Sequence, residues 1–134
     1  MATKRRASLA LVTNPLAGRG RCQRKHEVRK FCERLQEHGL EVDVLQTCAP
    51  GDATSLAAKA AEAGADIVIA SGGDGTINEV LQGLIGTKAQ LAIWPAGTAN
   101  VLAREITMPF EAKLAADVIF HGAVRRVQRR LRDR

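Results

Sequence analysis

The chain has 134 residues, 46% of them hydrophobic and 25% charged, a length and balance ordinary for one globular domain, for which disorder is not the default. No apolar run approaches the ~18 residues of a membrane span, and residues 9–12 are too short for a secretory h-region, so a cytoplasmic protein is expected. The net charge of +6 is segregated: residues 1–30 carry nine Lys or Arg and one acid, residues 122–134 carry six and one, and the body between carries five and twelve.

Residues 8–13 read as a strand ending at Asn14-Pro15, followed by a loop through Gly20. A helix is expected over 21–38, with Val28, Phe31, Cys32 and Leu35 at i, i+3, i+4, i+7 and Gly39 placed to cap it. Residues 40–46 alternate as a half-buried strand, with Leu40, Val42 and Val44 inward against Glu41 and Asp43. A loop over 47–51 leads to Asp52, a candidate N-cap, and a helix to 63 with Leu56, Ala57, Ala60 and Ala61 on one face and Gly64 behind.

The β-branched run 67–69 is a third strand, and after a glycine loop Ile77, Val80, Leu81, Leu84 and Ile85 form a helical stripe ended by Gly86. Residues 91–94 are a fourth strand stopped by Pro95, and Gly97-Thr98 opens a short helical stretch through 105. A last helix is expected over 111–121, with Leu114, Ala115, Val118 and Ile119 inward and Gly122 behind it. Strands alternating with helices specify βαβ units and a mainly parallel sheet, an α/β three-layer sandwich of Rossmann-like type.

In such sheets ligands bind beyond the carboxyl ends of the strands. The loops expected there are 14–20, 47–51, 71–76 and 95–100, and they hold the unusual residues of the chain. The glycines of Ser71-Gly72-Gly73-Asp74-Gly75-Thr76 let backbone N–H groups and the next helix N-terminus face a polyphosphate. Asp74 would repel a bare phosphate, so it is read as facing Mg²⁺ through water or a reacting hydroxyl. The structural alternative is a tight βα turn in which glycine supplies φ > 0 and Asp74 caps the helix. The P-loop pattern is absent, and Asn78 stands where a dinucleotide fingerprint needs its third glycine.

Cys22, Cys32 and Cys48 have no CxxC spacing and make no ligand pattern with His26, His38 and His121, so they read as free thiols. Basic ends can meet anionic lipid or nucleotide phosphates. Phe31, Trp94, Phe110 and Phe120 are isolated and there is no Tyr, so no nucleic-acid partner is expected.

The 71–76 segment resembles the GGDGT signature shared by diacylglycerol and sphingosine kinases, NAD kinases and phosphofructokinases. Asn14-Pro15-Leu16-Ala17-Gly18 resembles the NPxSG loop of the diacylglycerol kinase catalytic domain, and residues 95–104 its PxGTxNDxAR segment. The resemblance covers about residues 8–126 and implies the fold of the NAD kinase/diacylglycerol kinase type. It also implies ATP and Mg²⁺ as cofactors, and a lipid hydroxyl such as that of diacylglycerol as acceptor. Carried over, Asn14, Gly18, Thr47, Gly72, Gly73, Asp74, Gly75, Thr76, Asn78, Glu79, Gly97 and Thr98 would bind the nucleotide. Asp74 would also serve the metal through water and the chemistry.

Ala17 replaces the family's Ser, and Val101 its frequent Asp. Family members continue into a β-rich second domain that carries metal ligands and the proposed base. That domain is expected to be missing here, with 1–126 the nucleotide-binding domain and 127–134 a basic tail at the truncated start of the next. The resulting expectation is an ATP-dependent lipid kinase domain, placed peripherally at the inner membrane and prone to homo-oligomerise. A non-catalytic nucleotide-binding module and an NAD kinase-like enzyme are the alternatives.

Overall fold

The computed structural model describes residues 7–16, 21–96, 109 and 111–132. Its strands are β1 (Leu9–Thr13), β2 (Val42–Gln46), β3 (Ile67–Gly72) and β4 (Gln90–Pro95), and its helices α1 (Arg21–Glu37), α2 (Asp52–Glu62), α3 (Asp74–Leu84) and α4 (Ala112–Arg132). The strands form one all-parallel sheet in the order β2-β1-β3-β4, with Leu11 beside Val44 on one side and Ile69 on the other.

The residues of β1 and β3 are all buried, because helices cover both faces of the sheet. Alternate side chains therefore feed two cores. Leu9, Leu11, Ile67, Ile69 and Trp94 pack with Phe31 and Leu35 of α1 and Ala115, Ala116 and Ile119 of α4. Val12, Val68, Ala70 and Ile93 pack with Ala53 and Ala57 of α2 and Ile77, Val80 and Leu84 of α3. The Phe31 and Trp94 rings stack at 4.3 Å and 7° across the first core. The result is the α/β three-layer sandwich expected from the alternation of elements.

Several local expectations are corrected. Val44 is 40% exposed, because β2 is an edge strand that meets the cores only through Val42 and Leu45. Leu81 is exposed on α3, and Ile85, which follows its last residue, is exposed as well. The buried row of that helix is Ile77, Val80 and Leu84, while Gly83 lies against Thr54 and Ala57 of α2. On α4 the buried row is Ala112, Ala115, Ala116, Ile119 and Ala123, mostly small side chains, and Leu114 and Val118 fall outside it.

Gly122 does not end α4, which runs on to Arg132 and takes in much of the stretch read as a separate tail. One glycine costs a helix only ~0.5–1 kcal/mol, too little to stop a helix that is packed on both sides of it. Asp52 is not the N-cap of α2. Gly51 holds that position at φ 92°, and the Asp52 carboxylate instead accepts hydrogen bonds from the N–H groups of Cys48 and Ala49. The stretch expected to be helical over 97–105 lies outside the described residues.

The packing of α1 on α4 is reinforced at its rim. Arg34 Nε and His38 Nε2 each donate to Asp117 Oδ1 at 2.7 Å, and the His38 ring stacks on Phe120 at 4.1 Å. No helix among the described residues is long and apolar enough to cross a membrane.

Candidate functional site

Strand order places the switch of direction between β1 and β3. From β1 the chain goes outward to β2 on one side, and it returns to add β3 and β4 on the other. The connections diverge there, leaving a crevice at the carboxyl ends. A cleft of about 720 Å³ occupies it, lined from β1 and its loop by Thr13, Asn14 and Leu16, from the β2 loop by Thr47 and Cys48, and from α3 by Gly75, Thr76 and Glu79.

Backbone hydrogen bonds hold the loop starts to the sheet. Asn14 N–H donates to Ser71 O, Thr47 N–H to Thr13 O at 3.0 Å, and Ala96 N–H to Gly72 O. Asn14 Oδ1 accepts from Leu16 N–H at 3.0 Å, a local Asx turn that shapes the Asn14-Pro15-Leu16 rim. Glu79 Oε1 accepts from Gly51 N–H at 3.0 Å, and Thr54 Oγ1 donates to the Glu79 carbonyl at 2.9 Å. Glu79 thus ties the β2–α2 loop to α3 across the mouth of the cleft.

The glycine loop is not a turn of positive φ. Gly39, Gly51, Gly64 and Gly86 are the described glycines in that region, and Gly73 lies at φ −83°, ψ −174°. Gly73, rather than Asp74, occupies the N-cap position of α3, and Asp74 is the first helical residue. A Cβ on Gly72 would come 2.8 Å from the Thr76 side chain, whereas Gly73 and Gly75 have nothing within 4 Å of where a Cβ would stand. The last two glycines therefore leave open space beside backbone N–H groups at a helix start.

Of the residues read from sequence, Asn14, Thr47, Gly75, Thr76 and Glu79 line this one cleft. Gly72 is buried at the end of β3, and Gly73, Asp74 and Asn78 are exposed at or just beyond the β3–α3 junction, outside its lining. Gly18, Gly97 and Thr98 lie outside the described residues.

Arg24 also lines the cleft and was not singled out from sequence. It is 2% exposed, and its Nη2 donates to Thr13 Oγ1 at 3.0 Å and to Ser71 Oγ, which in turn donates to Trp94 O at 2.8 Å. Its guanidinium carbon lies 4.6 Å from the Trp94 ring centroid. Burial pulls its pKa down to about 10, partly offset by Glu27, so it stays charged at neutral pH. The signal was present: positions 24, 28, 31 and 35 form one helical row, and an arginine stands first on a stripe otherwise made of Val28, Phe31 and Leu35.

Among the described residues no group of three or more His, Cys, Asp or Glu could hold a metal ion. Mg²⁺ commonly keeps several waters and binds through one or two carboxylates together with phosphate oxygens. The exposed Asp74 carboxylate beside an open helix start fits that mode; an all-protein cage does not.

Residues 8–129 match the family model for the diacylglycerol kinase catalytic domain. The chain is 38% identical over 118 residues to a diacylglycerol kinase of Bacillus subtilis (strain 168), covering 86% of this chain and 38% of that protein. It is 38% identical over 112 residues to a diacylglycerol kinase of Mycobacterium tuberculosis (strain CDC 1551 / Oshkosh), covering 83% and 36%. The crystal structure of a diacylglycerol kinase from Bacillus anthracis str. Sterne superposes with a TM-score of 0.77 at 30% identity, covering 90% of this chain and 44% of that one. The chain thus spans about two fifths of the length of these relatives.

Proposed function

The chain belongs to the diacylglycerol kinase catalytic domain family, and we propose that its cleft binds ATP for transfer of the γ-phosphoryl group to a lipid hydroxyl. The carrying observation is the cleft at the sheet's switch point, where Asn14 and Thr47 from two loops and Gly75 and Thr76 from the first turn of α3 line one space. Phosphoryl transfer asks a protein chiefly for positioning and charge stabilisation. The open backbone at Gly73 and Gly75 offers N–H groups and the positive end of α3 to the phosphates. Thr47 and Asn14 hold the opposite wall, and the Glu79–Gly51 hydrogen bond keeps that wall at a set distance from α3.

Mg²⁺, when bound with the nucleotide, neutralises charge developing on the phosphates. In this reading Asp74, exposed at the first position of α3, would hold its waters. The acceptor is a lipid hydroxyl such as that of diacylglycerol, reached at a membrane surface, as the names of the relatives suggest.

A second reading, a nucleotide-binding module without catalysis of its own, is favoured by one observation. Glu79 is the one carboxylate among the described residues that line the cleft, and it is engaged by the Gly51 N–H. Calorimetry with ATP, with and without Mg²⁺, tests the nucleotide site. We expect Asp74→Asn to weaken MgATP binding about tenfold while leaving metal-free ATP binding unchanged or tighter. No heat of binding for ATP in either form would overturn the reading.

A further inference from the structure

Arg24 is a buried cation whose neighbours do not satisfy it. Its Nη2 is engaged by Thr13 and Ser71, but its Nε and Nη1 are buried without a hydrogen-bond partner. The carboxylate of Glu27 stands 3.7 Å from Nη1, beyond hydrogen-bond reach, and is itself partly exposed. A buried guanidinium with two unpartnered nitrogens, three N–H donors in all, is costly in a closed core. Here it lies in the wall of a cleft, beside the N-terminus of an eleven-residue helix whose first turn supplies Gly75 and Thr76 to the same wall. Two independent features, a helix start and an unsatisfied buried cation, thus bias one space toward negative charge.

The position adds a second consequence. Thr13 and Ser71 are directly opposite one another in register, at the ends of the two strands that flank the switch point. Asn14, after Thr13, begins one site loop, Gly72, after Ser71, is the last residue of β3 before the start of α3, and Thr47 hangs from the Thr13 carbonyl. A guanidinium clamped between the two hydroxyls and over Trp94 holds these loop origins together through one side chain.

We propose that Arg24 is an anion-binding residue of the cleft, its Nε and Nη1 donating to a phosphate oxygen of the ligand while Nη2 stays on Thr13 and Ser71. This rests on the nucleotide reading for the identity of the ligand, but the chemistry it names is that of a polyphosphate alone. Arginine suits the task because its fork keeps donors in reserve when one nitrogen is already engaged.

The test compares binding of inorganic triphosphate, ATP and adenosine to the whole chain and to Arg24→Gln and Arg24→Lys, with melting curves for each. Affinity for triphosphate and ATP should fall about tenfold or more in the Gln variant, with adenosine unaffected. The Lys variant, which keeps the charge and loses the fork, should fall between. Trp94 is the single tryptophan of the chain and lies against the guanidinium, so its emission in the wild-type protein should respond to triphosphate and not to adenosine.

Equal triphosphate and ATP affinity in folded wild-type and Gln proteins overturns the proposal. If neither variant folds, a wild-type Trp94 signal indifferent to saturating triphosphate overturns it as well. Triphosphate binding that depends on Arg24 without any ATP binding would sink the nucleotide reading and leave the anion site standing. ATP binding indifferent to Arg24 would do the reverse.

Discussion

At the scale of single residues, the three loop glycines separate into different physical roles. Gly72 is needed for packing, since a Cβ there meets Thr76 at 2.8 Å. Gly72→Ala should therefore destabilise the fold by ~1–3 kcal/mol, read by urea unfolding. Gly73 has ordinary extended geometry and open space around it. Gly73→Ala should leave stability within ~0.5 kcal/mol of wild type yet weaken ATP binding, if the phosphates approach the start of α3 as proposed and need the open space that its methyl group would take. A Gly73→Ala protein with wild-type affinity would remove the close backbone approach from the proposed site. Asp117 carries a separate, pH-dependent contribution. The Arg34 and His38 hydrogen bonds hold its carboxyl down from its ordinary 3.8 to about 2. As pH falls below 3.8 the unfolded chain takes up a proton that the folded one still refuses. The stabilisation is therefore complete above 3.8 and is lost as pH drops through about 2. Melting temperatures measured across that interval should fall more steeply for wild type than for Asp117→Asn, and parallel curves would show that the cluster contributes nothing.

At the scale of elements, the α2–α3 contact sets how closely the helices under the site can approach. Gly83 lies where a Cβ would stand 2.3 Å from Thr54 O and 3.1 Å from Ala57 Cβ. Gly83→Ala must push the helices apart, and should cost ~1–3 kcal/mol in denaturant unfolding. It should also loosen the Glu79–Gly51 tie, since Glu79 and Thr54 share that contact. Gly122 is the contrasting case. It lies inside α4 with no atom within 4 Å of its missing Cβ, so Gly122→Ala should stabilise by ~0.5–1 kcal/mol. A loss of stability there would mean that the helix breaks at Gly122 in solution. The glycine stop was read from sequence because the same residue type ends α1 at Gly39 and α2 at Gly64, both at positive φ. Local chemistry alone does not distinguish a terminal glycine from an internal one.

At the scale of the whole molecule, the described residues form a cleft at the carboxyl edge of the sheet, and the proposed function fills it with the nucleotide. The chain spans 38% of its Bacillus subtilis relative. Glu79 is the one carboxylate among the described residues that line the cleft, and the Gly51 N–H already engages it, so those residues supply no ready base for an acceptor hydroxyl. Phosphate transfer from radiolabelled ATP to diacylglycerol in mixed micelles should accordingly be far below the ~10 s⁻¹ typical of enzymes when only these 134 residues are present. Turnover near that rate would place the acceptor site within this chain.

The amino-acid sequence by itself determined the alternation of strands and helices, the parallel sheet and the family. Those rest on local period, on glycine and proline punctuation and on short ordered motifs, all of which are properties of neighbouring residues. Only the tertiary structure decided which flank of each apolar stripe is buried. The periodic rows of α3 and α4 are wider than the surface they cover, and the angle at which each helix meets the sheet left Leu81, Ile85, Leu114 and Val118 outside. It also decided the place of Arg24. A cation at the head of an apolar row is written in the sequence, but whether it turns outward to water or inward depends on what stands above it. Here the ends of β1, β3 and β4, brought together from positions 13, 71 and 94, supply two hydroxyls and an indole face, and those partners meet only when the strands are in register.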